Sequence, residues 1–153
     1  LPYIFKAIEA VADGESADHI DEALVDFGMP MGPIELADQI GLDVCLDAGI
    51  VLGIAPTIKT LLDEKVKSGT IGRKSGSGFY EWDGNQAIRA RQSQDPSVMA
   101  AIAENMLAPM IEECQQAVDE KIVDSADSAD AGMIFGIGFP SFRGGPLNWA
   151  EKQ

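Results

Sequence analysis

Histidine and cysteine are almost missing from this chain. One histidine, His19, and two cysteines, Cys45 and Cys114, far apart and without a Cys-x-x-Cys pair, leave neither a zinc ligand set nor a disulfide framework to build. No metal site is expected. Two unpaired thiols suit a reducing, cytoplasmic setting. Basic residues are scarce too, 11 Lys and Arg against 25 Asp and Glu, for a net charge of −14. That field repels phosphate backbones, so nucleic acid is set aside as a partner, and an anionic ligand needs local help. No apolar run reaches membrane-spanning length, and no charged-then-apolar leader opens the chain. Leu1 stands where an initiator Met is expected, so the sequence reads as a piece of a longer protein that runs on past Gln153.

What is abundant is apolar material and repetition. At 46% hydrophobic over 153 residues the chain can bury a real core. Leu1-Pro2-Tyr3-Ile4-Phe5-Lys6-Ala7-Ile8-Glu9-Ala10-Val11 returns as Ala108-Pro109-Met110-Ile111-Glu112-Glu113-Cys114-Gln115-Gln116-Ala117-Val118, and Ser16-Ala17-Asp18 returns as Ser125-Ala126-Asp127. Gly28-Met29-Pro30 with Gly32-Pro33 is answered by Gly138-Phe139-Pro140 with Gly145-Pro146, the second version three residues longer between the prolines. A period this long implies two copies of one small helical domain rather than a solenoid, packed as two subunits otherwise would be.

The periodicity is helical. Tyr3, Ile4, Ala7, Ile8 and Val11 share one face, with Gly14 placed to stop that helix. Ser16 caps the next, whose stripe Ile20, Ala23, Leu24 and Phe27 ends at Gly28. Pro33 starts a short helix, and Ile58, Leu61, Leu62, Lys65 and Val66 mark another after Thr57, closed by Gly69. Nothing reads as a parallel sheet. From Thr70 to Trp82, glycines 72, 76 and 78 predict a turn feeding the extended strip Phe79-Tyr80-Glu81-Trp82, and Asp83-Gly84 predicts a further turn. The polar stretch 85–94 is the natural boundary, with Asp95-Pro96 opening the second unit and Pro109 beginning or kinking its long helix. Two all-α domains are expected, residues 1–92 and 93–153, the second shorter than the first.

Candidate chemistry is sparse. His19 lies among Asp18, Asp21 and Glu22, but no nucleophile accompanies it, which favours an exposed histidine on the polar face of a capped helix. No catalytic residue is assigned. Gly72-Arg73-Lys74-Ser75-Gly76-Ser77-Gly78 has the glycines of a phosphate loop without its spacing, and an aromatic strip follows where a helix N-terminus is required. Lys74 either offers an ammonium to a ligand phosphate or is a solvated charge. Phe135, Phe139 and Phe142 among flexible glycines either line an apolar slot for an acyl chain or staple a turn to the core. Arg143 is a fork for an anion or for a buried carboxylate. Met29, Met31, Met106 and Met110 read as core.

Three ordered segments, residues 27–33, 72–80 and 138–146, resemble consecutive signatures of the C-terminal helical region of 3-hydroxyacyl-CoA dehydrogenases, in the duplicated form found in multifunctional fatty-acid β-oxidation enzymes. The resemblance covers essentially the whole chain. It implies an all-α fold like that of the 6-phosphogluconate dehydrogenase C-terminal domain, with the second copy standing in for the partner subunit of single-function relatives. It also implies what lies elsewhere: hydride transfer from a 3-hydroxyacyl-CoA to NAD, with a His base oriented by a Glu, belongs to an N-terminal dinucleotide-binding domain, and none of that machinery occurs in these 153 residues. By the resemblance, Lys74 matches a lysine that reaches bound NAD, and Phe135 matches a substrate-contacting position that is Tyr in some relatives. Phe keeps the ring and loses the hydroxyl. The implied partners are the acyl-CoA substrate, the N-terminal NAD-binding domain and, if the chain is chiefly an assembly module, a thiolase subunit.

Overall fold

Five of the eight α-helices begin on a proline, whose fixed φ suits the first helical turn and whose missing N–H costs nothing there. These are α1 (Pro2–Ala12), α3 (Pro33–Ile40), α5 (Pro56–Lys67), α6 (Pro96–Asp119) and α8 (Pro146–Glu151). Two of the others start on serine caps: Ser16 Oγ accepts from His19 N at the head of α2 (Ala17–Phe27), and Ser125 Oγ accepts from Ser128 N at the head of α7 (Ala126–Ile137). The last, α4 (Leu42–Leu52), follows Gly41 directly after α3. This computed structural model describes all 153 residues, and its only sheet is the antiparallel hairpin of β1 (Glu81–Asp83) and β2 (Gln86–Ile88). Trp82 pairs with Ala87, and both turn their side chains inward. The fold is all-α.

One hydrophobic cluster runs through the whole molecule. It joins Ile4, Ile8, Leu24 and Ile34 to Met99, Met106, Leu107 and Met110, because the long α6 lies along both α1 and α2. Each such side chain taken fully from water contributes roughly 1.5–3 kcal/mol.

A single arrangement occurs twice. Asp21 on α2 accepts from Ile34 N at 2.8 Å and from Glu35 N at 2.8 Å, satisfying the first amides of α3. Asp130 on α7 accepts from Leu147 N at 2.7 Å and Asn148 N at 3.0 Å, doing the same for α8. Both carboxylates are buried, and each faces a glycine that leaves it room: a Cβ built on Gly32 falls 2.2 Å from Asp21 Cγ, and one on Gly145 falls 2.3 Å from Asp130 Cβ. The Gly-Pro pairs are therefore helix starts fitted around a buried acid.

The elements differ from expectation in four places. The helix α4 carries no clean stripe, since Leu42, Cys45 and Leu46 are buried while Val44, Ile50 and Val51 face solvent, and the periodicity is blurred accordingly. The α5 helix starts at Pro56 behind Ala55, not after Thr57. Pro109 lies in the interior of α6, one donor short in the ladder, and does not begin it. Residues 85–94, read as a polar boundary stretch, carry buried side chains as well. Ala87 is buried, and Arg89, whose side chain is 5% exposed, bonds Asp18 Oδ1 through Nε at 3.0 Å, Glu22 Oε2 through Nη2 at 2.9 Å and Glu35 Oε2 through Nη1 at 3.4 Å. Gln92 N adds a bond to Asp18 Oδ2, so this segment is strapped across α2 and α3 on the way to α6.

Candidate functional site

The N-terminal end of α1, the turn after α2, and the helices α6 and α7 enclose a cleft of about 650 Å³, within the range of small-molecule sites. Each wall follows from local sequence. Gly28 takes φ +120 as the cap of α2, and the chain turns through Met29, Pro30 and Met31 along the rim. From α6 come Met110, Cys114 and Ala117, three and four residues apart and so on one face. From α7 come Ala129, Gly132, Met133 and Gly136. Leu1, Pro2, Tyr3 and Ile4 complete the opposite side.

The cleft is apolar and soft. Methionines 29, 31, 110 and 133 give it adaptable, polarisable walls. Glu113 is its only charged side chain. Burial pushes the Cys114 thiol up, helped by the charges of Asp130 and Glu113, and Cys45 rises to about 11 for the same first reason. Both stay thiols and are poor nucleophiles. What the cleft can do is remove a hydrocarbon segment from water. Tyr3, one of its lining residues, keeps a buried hydroxyl with no hydrogen-bond partner.

The glycine loop has its own anion. Asp38 on α3 accepts from Phe79 N at 2.9 Å, Tyr80 N at 3.0 Å and Trp82 Nε1 at 2.9 Å, while a Cβ on Gly72 falls 2.2 Å from the Asp38 carbonyl oxygen and one on Gly78 falls 2.3 Å from Asp38 Oδ1. The loop is shaped around this carboxylate, and its amides are turned inward rather than offered to a phosphate. Lys74 sits on the 3₁₀ turn of residues 73–75 with Nζ 2.7 Å from the Asp43 carboxylate. That contact holds the Asp43 carboxyl below its usual range.

Phe135 stands on α7 with its ring 89% exposed, outside the lining of the cleft. Lys74 and Phe135 are not brought together: one lies beside Gly41 and Asp43, the other projects from α7. Of the three phenylalanines, Phe139 is the staple, buried edge-on against Phe27 at 5.7 Å between ring centroids, while Phe142 is exposed. Arg143 meets no buried carboxylate, one of the two roles foreseen for it. Its Nε donates to the Phe27 carbonyl at 2.8 Å and its guanidinium lies 3.9 Å over the Phe27 ring. Met29, Met106 and Met110 are core as expected, although Met29 and Met110 also face the cleft; Met31, expected with them, is only half-buried and lies on the cleft rim, because the turn after α2 carries it outside the packed faces. His19 lies on the polar side of α2 with Nδ1 2.8 Å from Gln94 Nε2, and no nucleophile is near it. No cluster of three His, Cys, Asp or Glu side chains stands ready for a metal.

Sequence reasoning passed over Asp21, Asp38, Asp130 and Arg89. A signal for two of them was present: Ser16-Ala17-Asp18 is followed at the same distance by Asp21 as Ser125-Ala126-Asp127 is by Asp130. An acid that recurs on the apolar side of two amphipathic helices is a buried one.

The fold is all-α, with a helix pair started on a buried acid and an apolar cleft beside it. The family described as "3-hydroxyacyl-CoA dehydrogenase, C-terminal domain" matches residues 1–82, and the chain belongs to it. The "Fatty acid oxidation complex subunit alpha" of Shewanella sp. (strain MR-7) is 36% identical over 173 aligned positions that include 97% of this chain, and that of Shewanella sp. (strain MR-4) is 35% identical over the same share. The chain spans 24% of the length of each. Among solved structures, 3-hydroxybutyryl-CoA dehydrogenase from Escherichia coli K12 superposes with a TM-score of 0.71 at 20% identity, covering 99% of this chain and 51% of its own. The dehydrogenase part of multifunctional enzyme 1 from C. elegans does so at 0.68 and 22% identity, covering 90% and 34%. These last two likenesses are of fold. The chain thus resembles the C-terminal part of 3-hydroxyacyl-CoA dehydrogenases of fatty-acid oxidation.

Proposed function

We propose that this chain is the helical part of an NAD-dependent 3-hydroxyacyl-CoA dehydrogenase acting in fatty-acid β-oxidation, and that it supplies the wall against which the acyl chain lies. The observation that carries this reading is the apolar cleft of about 650 Å³ between α1 and α7, whose only charged lining side chain is Glu113. Burying a hydrocarbon segment there contributes roughly 0.8 kcal/mol per methylene. The exposed ring of Phe135 suits contact with a substrate or domain that reaches α7 from outside. In this reading the chain is two copies of one domain, residues 1–92 and 93–153, clasped as a pseudo-dimer; the paired roles of Asp21 and Asp130 support that division.

NAD does not fit the residues present. The amides of Gly72, Gly76 and Gly78 are taken by carbonyls of Ser77, Arg73 and Tyr80 and those of Phe79 and Tyr80 by Asp38, and the one lysine with a claim on the cofactor, Lys74, already faces Asp43. The cofactor belongs to an N-terminal dinucleotide-binding domain of the same protein, with Lys74 reaching it only across the interface. No chemical step is therefore assigned here. This chain's own contribution is to orient the acyl chain and keep water from it. Its partners in this reading are the acyl-CoA and that domain, in a cytoplasmic setting that suits two free thiols.

A second reading is favoured by the exposed Ile50, Val51 and Leu52 at the end of α4: an assembly module that docks a neighbouring subunit, a thiolase among the candidates. Val51→Asp with Leu52→Asp in the full-length protein separates the two, because both side chains face solvent and lie outside the cleft. The wall model expects dehydrogenation and association both to stay intact; loss of association favours the assembly module. The isolated chain is expected neither to turn over substrate nor to bind NAD, checked by absorbance of NADH and by calorimetry.

A further inference from the structure

One arginine of this chain has its inner nitrogen fixed and its fork unspent. Arg143 lies between the prolines of the second Gly-Pro echo, where the first echo has only Met31 and Gly32. Its Nε is held 2.8 Å from the Phe27 carbonyl, and its guanidinium carbon stands 3.9 Å from the Phe27 ring centroid and 5.1 Å from that of Phe142. Closing the end of α2 accounts for Nε and for the ring contacts. It does not account for the rest. Nη1 and Nη2 donate to nothing in the chain, and neither is a buried atom without a partner, so both open on solvent. In a chain with 25 acidic residues, a half-buried arginine without an ion pair contrasts with Arg89, which binds three carboxylates.

The fork opens into a second cavity, of about 360 Å³, which shares no lining residue with the apolar cleft. Ala23 and Asp26 of α2, with Met99, Ala100 and Ala103 of α6, form its walls. Asp26 and Arg143 are its only charged side chains, and they line one cavity without meeting as an ion pair. Two opposite charges held apart in one cavity are a matched set for a ligand that carries both. The net charge of −14 disfavours a plain anion at this face, whereas a ligand neutral overall is not repelled.

We propose that this cavity binds a zwitterion, an apolar α-amino acid: its carboxylate takes Nη1 and Nη2 of Arg143, its ammonium takes Asp26, and its side chain lies against Met99, Ala100 and Ala103. The site stands apart from the acyl-wall reading and does not depend on it. Its volume is at the small end of ligand sites, the scale of one amino acid rather than of a nucleotide. A guanidinium fixed through Nε presents its two outer nitrogens in a set direction, which suits the two oxygens of a carboxylate. Both charges are needed together. A carboxylate alone leaves Asp26 as a repelling neighbour, and an amine alone leaves the fork of Arg143 unspent.

The test is a ligand-observed NMR titration of the full-length protein with three probes of one hydrocarbon skeleton: L-leucine, isocaproate, which lacks the ammonium, and isoamylamine, which lacks the carboxylate. Leucine is expected to bind with a Kd of about 1 mM, and each of the other two at least about tenfold more weakly. Arg143→Gln should weaken leucine binding about tenfold or more. Because Arg143 also holds the end of α2, two variants at exposed positions keep the test decisive if that one does not fold. Asp26→Asn should weaken leucine about fivefold or more, and Ala100→Leu should abolish its binding by filling the cavity. Absence of leucine binding to wild type up to about 10 mM overturns the proposal. Isocaproate binding as tightly as leucine overturns it as well, in favour of a plain anion site. Leucine binding unchanged in both Asp26→Asn and Ala100→Leu overturns it by putting the amino acid elsewhere.

Discussion

Tyr80 donates its hydroxyl to Asp21 Oδ2 at 2.8 Å, joining the glycine-aromatic strip to the buried acid that starts α3. The same carboxyl takes the amides of Ile34 and Glu35, with Arg89 close enough to act on its charge. Desolvation nevertheless dominates, and it pushes Asp21 up from 3.8 to about 7. Between those values the folded chain holds a proton that the unfolded chain has released. The stability linked to Asp21 is thus full below about pH 4 and is lost as pH rises through about 7. Urea denaturation across that window should show wild type losing stability, on the order of 4 kcal/mol at most, while Asp21→Asn lacks this component. An unchanged slope in the variant refutes it.

Substitution of glycine should split by position. Gly145→Ala forces a Cβ to 2.3 Å from Asp130 and sits at φ +102, so it should cost about 2–3 kcal/mol or more by overpacking and strain together. Gly32→Ala, at 2.2 Å from Asp21 but with ordinary φ, should fall near the lower end of that range. Gly132→Ala should instead stabilise by about 0.5–1 kcal/mol, since open helix is what it enters. Thermal melts of the three decide the matter.

Arg89 is the fastening of the strap between β2 and α6. Removing it as Arg89→Ala leaves Asp18, Glu22 and Glu35 mostly buried without their cation, a loss of about 3–5 kcal/mol. Arg89→Lys should recover little, because one ammonium cannot serve three carboxylates in divergent directions. Limited proteolysis should then cut within residues 89–95 faster than in wild type.

Tyr3→Phe should be neutral or stabilise by about 1 kcal/mol in the free chain, since it removes a buried hydroxyl that has no partner. Marked destabilisation in denaturant would mean that the hydroxyl is satisfied.

Lys74→Gln should move the stability of the isolated chain by less than about 0.5 kcal/mol, because its pair with Asp43 is solvent-exposed. The Lys74 hydrogen bond lowers the Asp43 carboxyl against an opposing effect of burial, so what stability the pair gives is present above pH 4 or so and lost as pH falls through the lowered value. In the full-length protein the same change should raise the KM for NAD with little change in kcat if Lys74 reaches the cofactor.

Local rules made much of the architecture readable. The apolar spacing of Tyr3, Ile4, Ala7 and Ile8, the serines before α2 and α7, and the prolines at helix starts all act within a turn or two, and the echo of the first half in the second needs no coordinates at all. The helix α4 escaped because both its faces are apolar, and periodicity needs a polar side to be visible. The glycine loop was legible as a turn but not as the housing of Asp38, which lies more than thirty residues earlier in the chain. Phe139 and Phe142 stand in one short segment with the same side chain, yet one is stapled to Phe27 and the other is left in solvent.

The sequence by itself determined the all-α class, the helices with a polar side, the serine caps of α2 and α7 and the family, because these depend on residues close along the chain or on pattern. Only the tertiary structure decided that Arg89 gathers Asp18, Glu22 and Glu35, that the acids Asp21, Asp38 and Asp130 are buried partners of distant amides, and that α1, α6 and α7 leave an apolar cleft between them. The physical reason is that burial, desolvation and empty space arise where segments distant in sequence converge, and no local pattern records which segments those are.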